Sequence, residues 1–383
     1  MKKFIAYLRS AMLIIVAMGL LISCGNDFND MMKDRTSPPS GGETPLPTPT
    51  PIPPPTPPPL PPLPPITVSV ISITGTLTKS VYAIGEDFDP IGLTLTVTYS
   101  DSTTSTPTIT AAMLDSTWNT TAGTGKSITV TYGGQITTIT GITVKSLAER
   151  IADAAGTTAT ITLYADETIN SGNITLNGSS THITLTGNGA WTITGYSTGT
   201  TALFVIENSA SLTLGTIVGD NTITITGHTN TGANGGGVHI NGGTFTMKGG
   251  TITRNYARGS SSPSSSECKG GGVYVESGGF TMEGGEITYN ETGISPSVYV
   301  RRTYGGGVYV SGTFTMSGGW ITQNIVQWGD FGKEGGGVYV ASGGTFTLQS
   351  PISDTNKYSY INYNNHNNVI SSGTVSGITM PWY

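Results

Sequence analysis

Charge is scarce in this chain. Only 10% of its 383 residues are Asp, Glu, Lys or Arg, and the formal net charge at pH 7 is −6. A modest negative balance does not supply the positive surface that a nucleic-acid partner requires. We therefore expect no nucleic acid among the partners of this protein.

Groups that commonly carry out chemistry are sparse too. The four histidines are scattered, which argues against a metal site, and no Ser-His-Asp or Cys-His arrangement can be identified. Between residues 146 and 383 the only adjacent acidic pair is Asp166-Glu167. We expect no catalytic residue, no metal ion and no cofactor.

A motif written four times dominates what is present. Its copies begin at Gly235, Gly270, Gly305 and Gly335, and the second reads GGGVYVESGGFTMEGGEITYN. Each copy holds three short stretches of alternating apolar and polar residues, separated by Gly-Gly or Ser-Gly turns. A self-similar unit of this length predicts stacked supersecondary units.

The spacing within a copy predicts the shape of one coil. In the second copy the first buried positions lie seven residues apart, so the predicted coil has three sides and 21 residues. No coil can bury its apolar edge alone, whereas coils stacked with parallel strands about 4.8 Å apart place like residues above like. The predicted inner ladders are Val238/Val273/Val308/Val338, Phe245/Phe280/Phe314/Phe346 and Ile252/Ile287/Ile321/Ile352.

The predicted fold class is therefore all-β, with a parallel β-helix that is right-handed, as most parallel crossovers are. Asn255, Asn290 and Asn324 close the third side of three copies, and stacked asparagines at a turn can hydrogen-bond to the backbone along the stack. The fourth copy departs from the pattern at Pro351 and Asp354. We therefore expect the stack to end there.

Residues 159 to 226 keep the strand rhythm with less exact repetition and are predicted to form earlier coils, with Leu203/Val205 among the inward pairs. Before them, Ser146 is a candidate N-cap with Glu149 three residues on, and Gly156 is a stop signal. The sequence thus predicts a short helix that covers the first coil, as the end of a solenoid needs.

The repeats carry a family resemblance. GGGV followed by I-T-x-N resembles the GGA-I and F-x-x-N repeats of polymorphic outer-membrane proteins and, more broadly, the right-handed β-helices of the pectin-lyase-like superfamily. The resemblance covers residues 146–383. It implies a fold and a surface-protein setting, but no activity, because function is argued from a site.

The N-terminal 24 residues are predicted to be a targeting segment. Basic residues precede an apolar run, Ala11 to Ile22, that is too short to span a membrane. Leu21-Ile22-Ser23-Cys24 resembles a bacterial lipoprotein box, which implies that Cys24 is diacylated and anchors the mature chain to a membrane. Gly25 stands where an Asp would signal inner-membrane retention, so the implied location is the outer membrane of a bacterial cell envelope, with either a surface-exposed or a periplasmic head. An ordinary secretory signal is the alternative.

Two further segments complete the predicted domain organisation. Residues 25–66 form a disordered Pro-rich linker; 14 of the 21 residues from Pro45 to Pro65 are proline, which favours a semi-rigid polyproline II spacer. Residues 67–145 show strand alternation and turn signals typical of a small β-sandwich. Within them, Tyr82-x-x-Gly85-Glu86-x-Phe88 resembles bacterial immunoglobulin-like domains, which usually serve as stalks. The β-helix with its capping helix follows at 146–383.

Three coils carry insertions at one corner. The distance from the third stretch of one copy to the first stretch of the next is 21, 21 and 17 residues where a plain side would use seven. These corner loops, 256–269, 291–304 and 325–334, are expected to emerge on the same edge. Their side chains include types that anchor partners or stack on sugars; tolerated insertions that bind nothing are the equal alternative. The candidate ligand-binding residues are Arg258, Tyr299, Arg301, Arg302, Tyr304, Trp328, Phe331 and Lys333.

An outward aromatic strip is a second candidate surface. His239, Tyr274, Tyr309 and Tyr339 lie between inward residues and face solvent or a covering loop. Such a strip can mark an interaction site, although stacking that stiffens the sheet is the favoured interpretation.

Cys268, in a Ser-rich loop, is expected to be a free thiol, with an intermolecular bridge as the alternative.

These features predict a lipid-anchored envelope protein that acts as a non-catalytic adhesin or recognition protein, with a glycan or a host protein as ligand. The alternative is a polysaccharide lyase or glycoside hydrolase, for which Glu283 and Glu286 are the candidate carboxylates. A surface-coat element without a ligand is a third possibility. The sequence leaves the oligomeric state open.

Overall fold

The computed structural model describes residues 58, 60–232, 234–259, 267–293, 302–327, 333–349, 361–362 and 369–376. The targeting segment with Cys24, and the linker up to residue 57, lie outside the described residues. The protein is all-β, with a parallel β-solenoid of the right-handed type preceded by small antiparallel sheets. The described residues from 64 onward belong to a single compact unit.

Two three-stranded sheets precede the solenoid. The predicted strand at 93–99 is present, and the predicted strand from Ser127 to Tyr132 lies within a longer one. Buried Tyr82 packs edge-on against Trp118, with ring centroids 5.2 Å apart, and Phe88 lies 6.0 Å from the same indole. The strands are Val68–Gly75, Leu93–Tyr99 and Thr104–Ser105 in one sheet and Val81–Ala83, Gln135–Lys145 and Gly123–Tyr132 in the other, with a 3₁₀ turn at Ala111–Met113.

The capping helix, α1, spans Leu147–Asp153 and begins in the predicted capping box of Ser146 and Glu149. Its Leu147 and Ile151 side chains join the apolar core of the first coil. The buried Glu167 carboxylate accepts from the backbone N–H of Leu147 and pairs with Arg150. The helix therefore closes the end of the solenoid, as predicted.

Four parallel sheets build the described part of the solenoid. The long sheet carries the first and second stretches of each copy, and the third-side sheet carries the third. The long-sheet strands are Thr158–Leu163, Ile174–Asn177, His182–Gly187, Phe204–Glu207, Ser211–Leu214, Val238–Met247, Val273–Met282, Val308–Val310, Thr313–Met316, Val338–Val340, Thr345–Leu348, Val369–Ser371 and Thr374–Ser376. The third-side strands are Glu167–Thr168, Trp191–Thr194, Ile223–Thr226, Thr251–Thr253, Glu286–Thr288, Trp320–Thr322 and Ile361–Asn362.

The predicted coil has three separate sides, whereas the structure joins the first two sides in one sheet. In two coils one continuous strand runs through both the first and the second stretch, and the register shifts where the Gly pair lies. Gly242 and Gly278 adopt φ of 83° there, a conformation that glycine reaches without strain. The first two sides thus belong to one bent sheet.

The predicted inner ladders are confirmed in most positions. The four valines and four phenylalanines pair rung by rung and are fully or almost fully buried. Successive Phe rings stack with centroids 4.6–5.2 Å apart. Ile252, Ile287 and Ile321 form the third ladder.

Two predictions from the sequence are wrong. The strand partner of Ile321 is Ile361, not Ile352, which lies outside the described residues. The stack does not end at the fourth copy, because Val369–Ser371 and Thr374–Ser376 add another rung. In the fourth copy Phe346 and Ile361 lie 15 residues apart, where the other copies have seven between the same positions, so sequence spacing could not place the third stretch.

A third prediction, the inward pair Leu203/Val205, also needs correction. Phe204 and Ile206 belong to the main core, as does Leu203, while Val205 pairs with His239 in an outward row. Four successive apolar residues offer two equivalent alternations, and only pairing with Val238 and Ile240 selects one of them.

The asparagine ladder is confirmed. Asn255, Asn290 and Asn324 are fully buried. The Asn290 amide donates to the carbonyls of Ile252 and Thr288 at 2.8 and 3.1 Å, and its Oδ1 accepts from the Asn255 backbone N–H at 3.1 Å. Each side chain thus satisfies backbone groups of its own and neighbouring coils.

His228 occupies the position below this ladder, three residues after Ile225 as Asn255 is after Ile252. It is fully buried, and its backbone N–H donates to Asn255 Oδ1 at 3.3 Å. Nε2 donates to the Thr201 carbonyl at 2.8 Å, and the ring also packs edge-on against Tyr196 with centroids 5.0 Å apart. Burial lowers the pKa of His228, so folding favours the neutral form of the ring.

We predict that Asn290→Ala destabilises the solenoid by roughly 3 kcal/mol, because several buried backbone groups lose their partner at once. The measurement is the shift of the urea unfolding midpoint followed by circular dichroism. Asn241→Ala is the control, since this exposed asparagine makes one side-chain contact, with Ser277. An equal shift in both variants would contradict the ladder's role.

We predict that His228 makes the protein acid-sensitive. Because its folded pKa lies below the ordinary value of about 6.5, the unfolded chain takes up a proton first. Stability should fall as pH drops below about 6.5, by at most about 1.4 kcal/mol per pH unit, and level off once the folded state is protonated. His228→Asn should lose this component of the pH dependence in urea unfolding at pH 7.5 and 5.5. The exposed His182, changed to Asn, should keep it.

Candidate functional site

The stems of the corner loops stack in register. On the outgoing side Tyr256 pairs with Glu291, and Glu291 with Ile325. On the returning side Cys268 pairs with Thr303, and Thr303 with Lys333. The outgoing stems are Thr229–Asn230, Tyr256–Arg258, Glu291–Gly293 and Ile325–Val326, and the returning stems are Cys268–Lys269, Thr303–Tyr304 and Lys333–Glu334. The insertions that sequence spacing predicts as loops therefore begin and end in short strands. These strands pair from coil to coil on one edge of the solenoid.

The candidate ligand-binding residues divide between the two stem ladders and the loops beyond them. Arg258 ends an outgoing stem and is exposed, with its guanidinium 5.0 Å from the Tyr256 ring. Arg302 precedes a returning stem and is exposed, whereas Tyr304 within that stem is buried. Lys333 belongs to the next returning stem. Tyr299, Arg301, Trp328 and Phe331 lie outside the described residues.

Tyr304 covers the predicted aromatic strip. Its ring centroid lies 4.4 Å from that of Tyr339 and 6.0 Å from that of Tyr309. Together with Tyr274 these rings form a tyrosine cluster, in which all four residues are less than 10% exposed. Burial raises the pKa values of Tyr274, Tyr304 and Tyr309. The cluster is a small apolar core outside the coil, and it fastens a loop stem to the long sheet.

Polar groups rim this cluster. His239 stacks on Tyr274 with centroids 4.7 Å apart, and its Nε2 lies 2.8 Å from Glu276 Oε2. The Lys269 ammonium lies 5.4 Å from the centre of the Tyr309 ring. Arg302 Nη1 donates to the Tyr304 hydroxyl at 3.3 Å. The exposed charge of Arg302 is therefore tied to the buried tyrosine beside it.

Cys268 lies in a returning stem and is fully buried as a free cysteine. Its thiol contacts the Gly293 carbonyl at 3.5 Å. Burial raises the pKa of the thiol to about 12, so the reactive thiolate is suppressed near neutral pH. A buried, protonated thiol is poorly placed for an intermolecular bridge.

The sequence offers four acidic residues for catalysis, of which Asp166 and Glu167 have structural partners. Asp166 Oδ1 accepts from the Thr192 N–H at 2.7 Å, and Glu167 is engaged by Arg150 and the capping helix. Burial raises the pKa of Glu167 despite its arginine partner. Glu283 and Glu286 are half-buried at a turn and at the start of a third-side strand. Within the described ranges, no group of three or more His, Cys, Asp or Glu residues is arranged to hold a metal ion.

A cleft of about 250 Å³ lies where the small sheets meet the first coil. Glu86, Lys145 and Arg150 line it, and each is paired, with Lys79, Asp153 and Glu167 respectively. The backbone at Gly85 approaches so closely that an added Cβ would stand 2.5 Å from Ala165 Cβ. The cleft belongs to a tightly packed joint between the two parts.

A regular surface that periodicity alone does not reveal lies on the long sheet. One outward position of the second stretch bears a hydroxyl on eight successive rungs, and we call this set the threonine row. It is in strand register throughout, and its members are half-buried to exposed. The row comprises Thr160, Thr184, Thr213, Thr246, Thr281, Thr315, Thr347 and Ser376. The T-F-T-M and S-L-T-L segments carry this signal, but only the pairing shows that it is continuous.

No protein-family model and no curated protein matches this chain. In the part of the chain that the structure describes, no helix is both long and apolar enough to cross a bilayer.

We predict that Cys268 resists thiol labelling in the folded protein. Iodoacetamide at pH 8, followed by mass spectrometry of the peptide containing Cys268, should show little modification without denaturant and full modification in urea. Lys248→Cys in a Cys268→Ser chain is the control, since Lys248 lies on a different, more exposed turn. Rapid labelling of native Cys268 would show that the stems open readily.

Proposed function

We propose that the protein is a lipid-anchored component of the bacterial cell envelope whose solenoid recognises a glycan or a host protein through the corner loops. The observation that carries the proposal is the stacking of the loop stems in two parallel ladders on one edge. Loops based on stacked stems leave the body side by side, so their side chains can act on one ligand together. Arg, Trp and Tyr, the anchoring residue types, are present among them.

The tyrosine cluster supports this proposal. Recognition loops need a rigid base, because disordered bases lose affinity through the entropy of ordering. Tyr304 packs on Tyr309 and Tyr339 immediately after the central loop, and Arg302 hydrogen-bonds its hydroxyl. This arrangement holds the returning stem while leaving the Arg302 guanidinium on the surface.

The N-terminal parts fit an anchored presentation. Acylation of Cys24 would hold the chain at the outer membrane, and the Pro-rich spacer would lift the folded part away from it. We assign the small sheets to an immunoglobulin-like stalk. The Tyr82 motif supports this assignment, since the Tyr82 hydroxyl donates to the Lys79 carbonyl at 3.1 Å and Glu86 Oε2 accepts from the Ala83 N–H at 2.9 Å. The solenoid is assigned to the pectin-lyase-like type, with repeats similar to those of polymorphic outer-membrane proteins.

We predict that replacing residues 294–301 with a Gly-Ser linker of equal length abolishes ligand binding while the fold is kept. The replacement spares the stems Glu291–Gly293 and Thr303–Tyr304, which belong to the ladders. Binding would be measured on glycan and matrix-protein arrays, and folding by circular dichroism and thermal unfolding.

The matched control changes Ile217 and Val218 to Ser. These side chains are 70% and 61% exposed on a turn between the second stretch and the third, away from the corner loops. Unchanged binding in both variants would refute the role of the loops, and loss of binding in both would point to a different surface.

A further inference from the structure

We propose that the threonine row, with the outward row two residues before it, forms an ice-binding face: a surface that docks onto crystalline water. The second row lies two positions before the threonine row and bears a hydroxyl on six of its eight rungs, with His182 and Gly279 on the other two. Its hydroxyl members are Thr158, Ser211, Thr244, Thr313, Thr345 and Thr374. The two rows together present hydroxyl and methyl groups in a two-dimensional array on the outside of the long sheet.

Outward positions of the solenoid differ in chemistry and in exposure. Tyr274 and Tyr309 occupy one such position on the same sheet, and Glu286 and Trp320 occupy one on the third-side sheet. A second run of threonines lies in register on the third-side sheet, but two of its members are buried, so it is not accessible on every rung as the threonine row is. This run comprises Thr168, Thr194, Thr226, Thr253, Thr288 and Thr322. Strand propensity would be met as well by Tyr, Val or Ile. The turn after the threonine row also varies freely, from Lys248 to Glu283. Thr or Ser on eight successive accessible rungs gives this face a continuous line of hydroxyl groups.

The face is preordered. Threonine is β-branched and has few χ1 choices in a strand, so its hydroxyl and methyl point in fixed directions. Phe280 lies directly beneath the row, and its ring plane differs from those of the Phe rings above and below by 8° and 11°. The near-parallel rings show that the side chains beneath the row stack regularly from rung to rung.

The spacing suits a crystalline ligand. Rungs repeat about every 4.8 Å along the stack, and residues two apart in a strand are separated by roughly 6.6 Å. Oxygen atoms on the prism faces of ice repeat in two perpendicular directions at spacings close to these. Eight rungs give a face roughly 34 Å long, over which hydroxyls can replace lattice waters and methyl groups can sit between them.

The chemistry favours ice over a polysaccharide. Neither row carries Asp, Glu, Lys or Arg, whose strongly held hydration shells would disrupt an ordered water layer. His182 is the one ring-bearing side chain in the two rows, and its Nδ1 is hydrogen-bonded to Ser211. A sugar-binding face would be expected to offer aromatic platforms, which these rows lack.

The test measures partition of the purified full-length chain into slowly grown ice. We expect several-fold enrichment in the ice fraction relative to serum albumin. Thr281→Glu, which places a charge in the middle of the row, should reduce incorporation to the albumin level. Thr251→Glu is the control, because Glu286 occupies the next rung at that outward position on the third-side sheet, and it should behave as the unchanged protein.

Circular dichroism and thermal unfolding establish that both variants fold. Exclusion of the unchanged protein from ice, or equal incorporation of folded Thr281→Glu, would overturn the proposal. So would retention on crystalline cellulose or chitin without uptake into ice. Because the threonine row and the corner loops occupy different surfaces, loss of ice binding in Thr281→Glu with array binding intact separates this proposal from the loop proposal.

Discussion

Burial by the neighbouring coil is the constraint on which the rest of this structure depends. A single coil exposes both of its backbone edges and much of its apolar interior. Only a coil above and a coil below can supply the hydrogen bonds for those edges and remove the apolar side chains from water. The Phe ladder removes apolar rings from water by stacking them, and the asparagine ladder pairs the buried backbone at the corner where the chain turns. The capping helix, held by Arg150 and Glu167, solves the same problem at the first coil.

The same vertical register organises the outside of the molecule. Because strands pair residue for residue, an outward side chain lies beside its counterpart in the next coil, and chemistry repeated in sequence becomes chemistry in a line. Tyrosines at one position give the cluster that fastens the loop stems, and threonines at another give a continuous hydroxyl row. Functions proposed for this protein therefore belong to edges and faces along the stack, while the cleft at the domain joint is occupied by paired charges.

Much of the fold follows from pattern alone. The seven-residue spacing of Val273, Phe280 and Ile287 predicts the inner ladders, and Ser146 with Glu149 predicts the cap, since both signals are local and repeated. The prediction failed where repetition weakened. Ile361 instead of Ile352 continues the third ladder, because an irregular segment shifts the register. Phe204 instead of Val205 points inward, because an unbroken apolar run has no alternation.

The sequence by itself determined the strand rhythm, the positions of the turns and the identity of residues that meet in successive coils, because each depends on spacing along the chain. Only the tertiary structure decided that the corner loops stand on two stacked stems, that Tyr304 covers the tyrosine strip, and that eight hydroxyl residues far apart in sequence form one row. These features depend on which strands pair across gaps of 24 to 35 residues, and the irregular lengths of the intervening loops conceal that pairing from any reading of the chain in order.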